Sequence, residues 1–93
     1  MADVTRRLFI HGRVQGVFYR GWSVDQARGL GLRGWVRNRS DGRVEMLIAG
    51  DKAQVERMIE SCREGPPSAL VERIDVQEAD EAAPESFEQR PTL

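Results

Sequence analysis

The sequence predicts an α+β sandwich of the ferredoxin-like, split β-α-β type, in which one antiparallel sheet carries two helices on a single face. Three observations predict it. Short stretches of period-two alternation are interleaved with two stretches of helical spacing, in the order β-α-β-β-α-β. One turn signature, Ser40-Asp41-Gly42, joins the two middle strands as a hairpin. The length of 93 residues suits one modest core, hence a single domain spanning 1–93.

The first strand runs from Val4 to His11, with Val4, Arg6, Leu8 and Ile10 on one face and Thr5, Arg7, Phe9 and His11 on the other. Gly12 to Tyr19, GRVQGVFY, is a glycine-punctuated loop. From Arg20 the spacing turns helical: Ser23, Val24, Ala27 and Leu30 share a stripe, Gly29 weakens the helix and Gly31 stops it. The hairpin strands are Gly34 to Arg39 and Arg43 to Gly50. In the latter, Val44, Met46 and Ile48 face one way and Arg43, Glu45 and Leu47 the other.

Asp51 is a good N-cap for the second helix, and Gln54, three residues on, completes a capping box. Val55, Met58, Ile59 and Cys62 then follow the helical period until Gly65-Pro66-Pro67 ends it. A fourth strand, Ala69 to Gln77, should turn Leu70, Ile74 and Val76 inward. Glu78 to Glu85 is an acidic loop, and Phe87 to Arg90 makes a short extra C-terminal strand before Pro91.

Apolar residues at 40% and charged residues at 31% describe a folded globular chain. No apolar run is long enough to span a membrane, and MADVTRRLFIHG reaches charge too early for a secretory leader. The lone Cys62 excludes an internal disulfide and cannot build a zinc site alone, so the expected compartment is the cytoplasm. The net charge of −1 conceals an asymmetry: residues 1–50 carry nine arginines against four acids, whereas 51–93 carry five basic residues against eleven acids. An anion is therefore expected at the first half.

The loop before the first helix is where that anion fits. Successive N–H groups between a strand and a helix start can converge on an anion, helped by the partial positive charge of the helix end. Gly16 supplies the dihedral freedom for such a curl, and Arg20 follows with a five-donor fork. Neither G-x-x-x-x-G-K-[ST] nor G-x-G-x-x-G is present, which excludes a nucleotide P-loop and a dinucleotide fingerprint. A cysteine-dependent phosphatase would need a thiol in this loop, and Val14 stands where it would fall.

The run Gly12-Arg13-Val14-Gln15-Gly16-Val17-x-x-Arg20, then Leu30-Gly31-Leu32-x-Gly34-Trp35-Val36-x-Asn38, then Asp41-Gly42-x-Val44-Glu45, resembles the acylphosphatase family. The resemblance implies a small stand-alone enzyme that hydrolyses carboxyl–phosphate anhydrides without metal or organic cofactor. It implies that Arg20 and the backbone amides of Gln15, Gly16, Val17, Phe18, Tyr19 and Arg20 bind phosphate, and that Asn38 holds the attacking water. Tyr19 stands where the family usually has Phe, which preserves aromatic packing. Gly21 and Gly29 loosen the first helix, and the tail from Gln77 matches poorly. The parts suit the reaction: a departing carboxylate is already a stable anion, so positioning and charge stabilisation suffice.

Other residues have plainer readings. His11 ends a strand, Cys62 is a small buried hydrophobe, and Trp35 and Phe9 pack. Arg13, Arg37, Arg39 and Arg43 read as solvated surface, and Asp41 and Glu45 serve the turn and strand, not acid–base chemistry. The side chain of Gln15 has no assigned role. The alternative function is a non-catalytic module on the same fold, binding a small anion or RNA. Its RNA form rests on Arg33-Gly34-Trp35-Val36, a short match on the wrong strand, and the total charge gives no polyanion footprint. A fragment of a larger carbamoyl-transfer protein is disfavoured because the sequence ends at Leu93. The expected partner is a small-molecule acyl phosphate, with no nucleic acid and no membrane, and the expected state is a monomer.

Overall fold

A computed structural model describes residues 3–93; the expectation about a leader rests partly on residues 1 and 2, which lie outside it. The elements are β1 (Asp3–Arg13), α1 (Tyr19–Gly29), β2 (Arg33–Asn38), β3 (Val44–Asp51), α2 (Lys52–Glu64), β4 (Leu70–Glu78) and β5 (Phe87–Gln89). They build the ferredoxin-like α+β fold, with strand order β4-β1-β3-β2-β5. Register follows the alternation of the sequence. Leu8 opposes Met46, Ile10 opposes Val44, and Met46 opposes Val36, so the inward set forms one continuous apolar face. Tyr19 and Ala27 of α1, and Val55, Met58 and Cys62 of α2, bury against that face.

Three expectations about the strands and the helix cap need correction. The sheet is mixed, because β5 runs parallel to β2, with Gly34 opposite Phe87 and Val36 opposite Gln89. Phe87 fills the core at this edge and is fully buried. The inward set of β4 is also different. Arg73 opposes His11 but Val71 opposes Gly12, leaving Glu72 as an extra residue at a bulge. One inserted residue reverses the faces, so Val71 packs on the core with Ile74, and Leu70 is 65% exposed. Val76 lies at the margin and is 41% exposed. Gly12 is required there: a Cβ would meet the Leu70 carbonyl oxygen at 2.1 Å. The capping box is half made. Asp51 accepts from the Ala53 N–H, while the buried Gln54 Oε1 has no hydrogen-bond partner among the described residues.

The face of the sheet without helices is covered by arginine stems. Glu45 is buried there and paired with Arg7, with Arg37 at 2.8 Å and with Arg39 at 3.1 Å. Arg37 also lies 4.5 Å from the centre of the Trp35 ring, and Arg7 and Arg90 approach the same ring. Arg37 and Arg39 are therefore cover for a buried carboxylate, not free surface. Arg43 pairs with Asp41 and lies over Phe9. Burial pushes the Glu45 carboxyl up, but the hydrogen bonds and charges of Arg37 and Arg7 outweigh it and hold the group below its usual range. Trp35 is buried beneath these groups and presents no open face on which a base could stack.

Candidate active site

The loop from Val14 to Phe18 turns the chain from β1 into α1 by two left-handed residues. Gly16 has φ 74° in open space, and Phe18 has φ 67° as the residue preceding the helix. Alternation of such conformations gathers successive N–H groups into a concavity. The helix start has no side-chain cap. Among the described residues no carbonyl accepts from the N–H groups of Gln15 to Arg20, so the loop retains its donors for an outside acceptor.

One cavity of about 220 Å³ opens at this place. Val14, Gly16, Phe18, Tyr19, Arg20 and Gly21 form one side, and Asn38 of β2 and Gln89 of β5 form the other. The half-buried Arg20 makes no hydrogen bond or ion pair among the described residues, unlike Arg7, Arg37 and Arg39. Its guanidinium is thus a positive charge not yet neutralised, beside a set of N–H donors. Such a site suits a tetrahedral anion.

Three braces hold the two sides in place. The Gln15 side-chain amide donates to the carbonyls of Arg39 at 2.8 Å and Arg43 at 2.9 Å, tying the loop to the hairpin just beyond Asn38. The Leu93 N–H donates to the Asn38 carbonyl, and the Ser40 N–H to the Leu93 carbonyl, each at 3.0 Å. At the core side Tyr19 is buried, its hydroxyl donates to the Cys62 carbonyl, and its ring meets Trp22 with centres 5.3 Å apart. Burial pushes both the Tyr19 phenol and the Cys62 thiol up, the thiol to about 12, so neither supplies an anionic nucleophile.

Of the residues expected from the sequence, Gly16, Phe18, Tyr19, Arg20 and Asn38 line the cavity. Val17 packs on the core instead, and the Gln15 side chain turns to the hairpin. His11 pairs with Asp75 at 3.0 Å, consistent with a structural role. Gln89 also lines the cavity, although no motif in the sequence includes it. Its signal was available, since it falls two residues after the buried Phe87 and so shares the inward side of a strand. Gly21 lies against the Phe18 ring: a Cβ there would lie 2.4 Å from it, and the exposed ring would have to shift. Among the described residues no group of three or more His, Cys, Asp or Glu is placed to hold a metal ion.

Comparison with known proteins gives consistent matches. The sequence profile of the family described as Acylphosphatase matches residues 6–89. A protein of Rhizorhabdus wittichii named acylphosphatase is 48% identical over 97% of this chain and 91% of its own length. One from an Acidovorax species is 51% identical over 99% and 95%. The solved structure of an acylphosphatase from Coxiella burnetii superposes with a TM-score of 0.90 at 33% identity, covering 95% of this chain and 93% of that one.

Proposed function

The chain belongs to the acylphosphatase family, and from that premise we propose which of its residues carry the reaction. The activity is hydrolysis of an acyl phosphate to a carboxylate and inorganic phosphate. In our reading the phosphoryl oxygens accept from the backbone N–H groups of Gln15 to Arg20 and from the guanidinium of Arg20. The Asn38 side-chain carbonyl accepts from a water and aims it at phosphorus. The new P–O bond forms as the bond to the acyl oxygen breaks, the carboxylate leaves with the electron pair, and the water proton passes to a phosphoryl oxygen. Fixed donors stabilise the charge on the transferring group without reorganising.

The observation that carries this reading is the meeting of Arg20 from α1 and Asn38 from β2 in one cavity, beside a run of backbone donors without acceptors among the described residues. In this reading the reaction needs no metal or organic cofactor. The chain works as one domain and as a monomer on small acyl phosphates, in the cytoplasm, without nucleic acid or membrane. No helix among the described residues is long and apolar enough to cross a membrane.

The test is titration of the isotope-labelled protein with inorganic phosphate, followed by amide NMR, alongside phosphate release from acetyl phosphate in excess chelator. The expected result is turnover, with competitive inhibition by phosphate and the largest shifts at residues 15–20. Shifts confined to another surface, with residues 15–20 unmoved, would refute the assignment.

A further inference from the structure

The Phe18 side chain lies in the phosphate loop, yet binding phosphate uses only its backbone. It is a wall of the cavity and is 71% exposed. Its φ of 67° is a region in which a residue with a bulky side chain is sterically disfavoured. The ring is nevertheless seated. Its Cε1 and Cζ atoms come so close to Gly21 that a Cβ there would stand 2.4 and 2.7 Å from them, so in this position the ring edge lies over the glycine in the first turn of α1. The ring lies beside Gly21 in the first turn of α1, lines the cavity and is largely exposed. Strained backbone is retained where surrounding structure holds it, and such sites cluster at ligand contacts.

We propose that the Phe18 ring is the platform for the acyl group, and that the preferred substrates carry an apolar, flat group on the carbonyl carbon. The proposal rests on the reading above, which places the phosphoryl group at the amides of residues 15–20. Phe18 lies within that run, so a substituent leading away from the phosphoryl oxygen passes within reach of its side chain. The remaining rim favours the same class. Gln89 and Asn38 are uncharged, and the one cation lining the cavity, Arg20, is engaged by phosphate in this reading. A charged acyl group finds no partner there, whereas an apolar one covers exposed ring surface.

The experiment compares kcat/KM for benzoyl and acetyl phosphate in the parent and in Phe18→Ala and Phe18→Leu. The backbone of residue 18 serves both substrates alike, so any loss from that source cancels in the benzoyl-to-acetyl ratio. The expected ratio falls about tenfold in Phe18→Ala, chiefly through KM, with Phe18→Leu between the two, as for the loss of one apolar contact surface. A ratio within about twofold of the parent's would overturn the proposal, since that is below the effect of one apolar contact. A parent that hydrolyses neither substrate would instead overturn the reading of the site. A second measurement needs no variant. With the stable analogue benzoylphosphonate bound to the parent, nuclear Overhauser contacts should join its phenyl protons to the Phe18 ring. Phenyl contacts made only to other residues would reject the platform.

Discussion

The Tyr19 hydroxyl donates a 2.6 Å hydrogen bond to the Cys62 carbonyl, joining the first residue of α1 to the last turn of α2. That carbonyl would ordinarily accept from the N–H four residues on, but residue 66 is proline and has none. The phenol of Tyr19 thus satisfies a helix-end acceptor and fastens the end of the loop before α1 to the core. Replacing Tyr19 by Phe keeps the ring and leaves the buried carbonyl without this donor. We expect a loss of about 1–2 kcal/mol in urea unfolding; no loss would show that the bond contributes nothing.

Among the described residues the guanidinium of Arg20, at the cavity, has no partner. Arg20→Ala should lower kcat/KM for acetyl phosphate by at least about 10²–10³-fold and weaken inhibition by inorganic phosphate. Arg20→Lys should recover only part, because a point charge does not reproduce the fork. Equal turnover by the alanine variant and the parent would remove Arg20 from the reaction.

Asn38 should behave differently. If its carbonyl aims the water, Asn38→Ala lowers kcat while the inhibition constant of inorganic phosphate changes by less than about twofold, the interaction being one of the transition state. A fall in phosphate affinity equal to the fall in kcat would make Asn38 part of the anion cradle instead.

Gln15 holds the cradle and the hairpin in register by two bonds to carbonyl oxygens. Gln15→Glu offers acceptors to acceptors and should separate them. We expect kcat to fall by about 10²-fold, the effect of a displacement of about 1 Å, with a smaller change in phosphate inhibition. Gln15→Lys, which restores a donor, should recover part of the rate. Failure of lysine to exceed glutamate would argue against the tether.

Glu45 links stability to pH. Its folded carboxyl is held below the ordinary 4.5, so it contributes stability above that value and loses it as the pH falls through the lower, folded value. Unfolding monitored by circular dichroism should therefore show stability declining from about pH 4.5 downward. Glu45→Gln should flatten that decline and destabilise the protein at neutral pH by roughly 1–3 kcal/mol, as the three arginines lose their charged acceptor. An unchanged acid profile in the variant would place the titration elsewhere.

Much of this was legible in local sequence. The Ser40-Asp41-Gly42 turn fixes the β2–β3 register, and with it Arg37 opposite Glu45, so their pairing was readable even though its burial was not. Arg20 and Asn38 were found as members of motifs, but nothing in their spacing brings α1 and β2 to one cavity; the topology does. The direction of β5 was hidden because its partner, β2, lies some fifty residues earlier and alternation carries no sign of parallel or antiparallel pairing. No sequence signal marks the bulge at Gly12, because Leu70 and Val76 fit an unbroken alternation equally well. Nothing in the sequence marks a role for the Gln15 side chain, since its acceptors are main-chain carbonyls, which no residue type advertises.

The split origin of the cavity, with walls from α1, β2 and β5, makes enzyme turnover a reporter of folding. Helices can regain their optical signal while the distant strands are still undocked, but the two sides of the cleft face one another only after the β5 edge has closed. During refolding, recovery of catalysis should therefore mark the last assembly step and lag behind the helical signal.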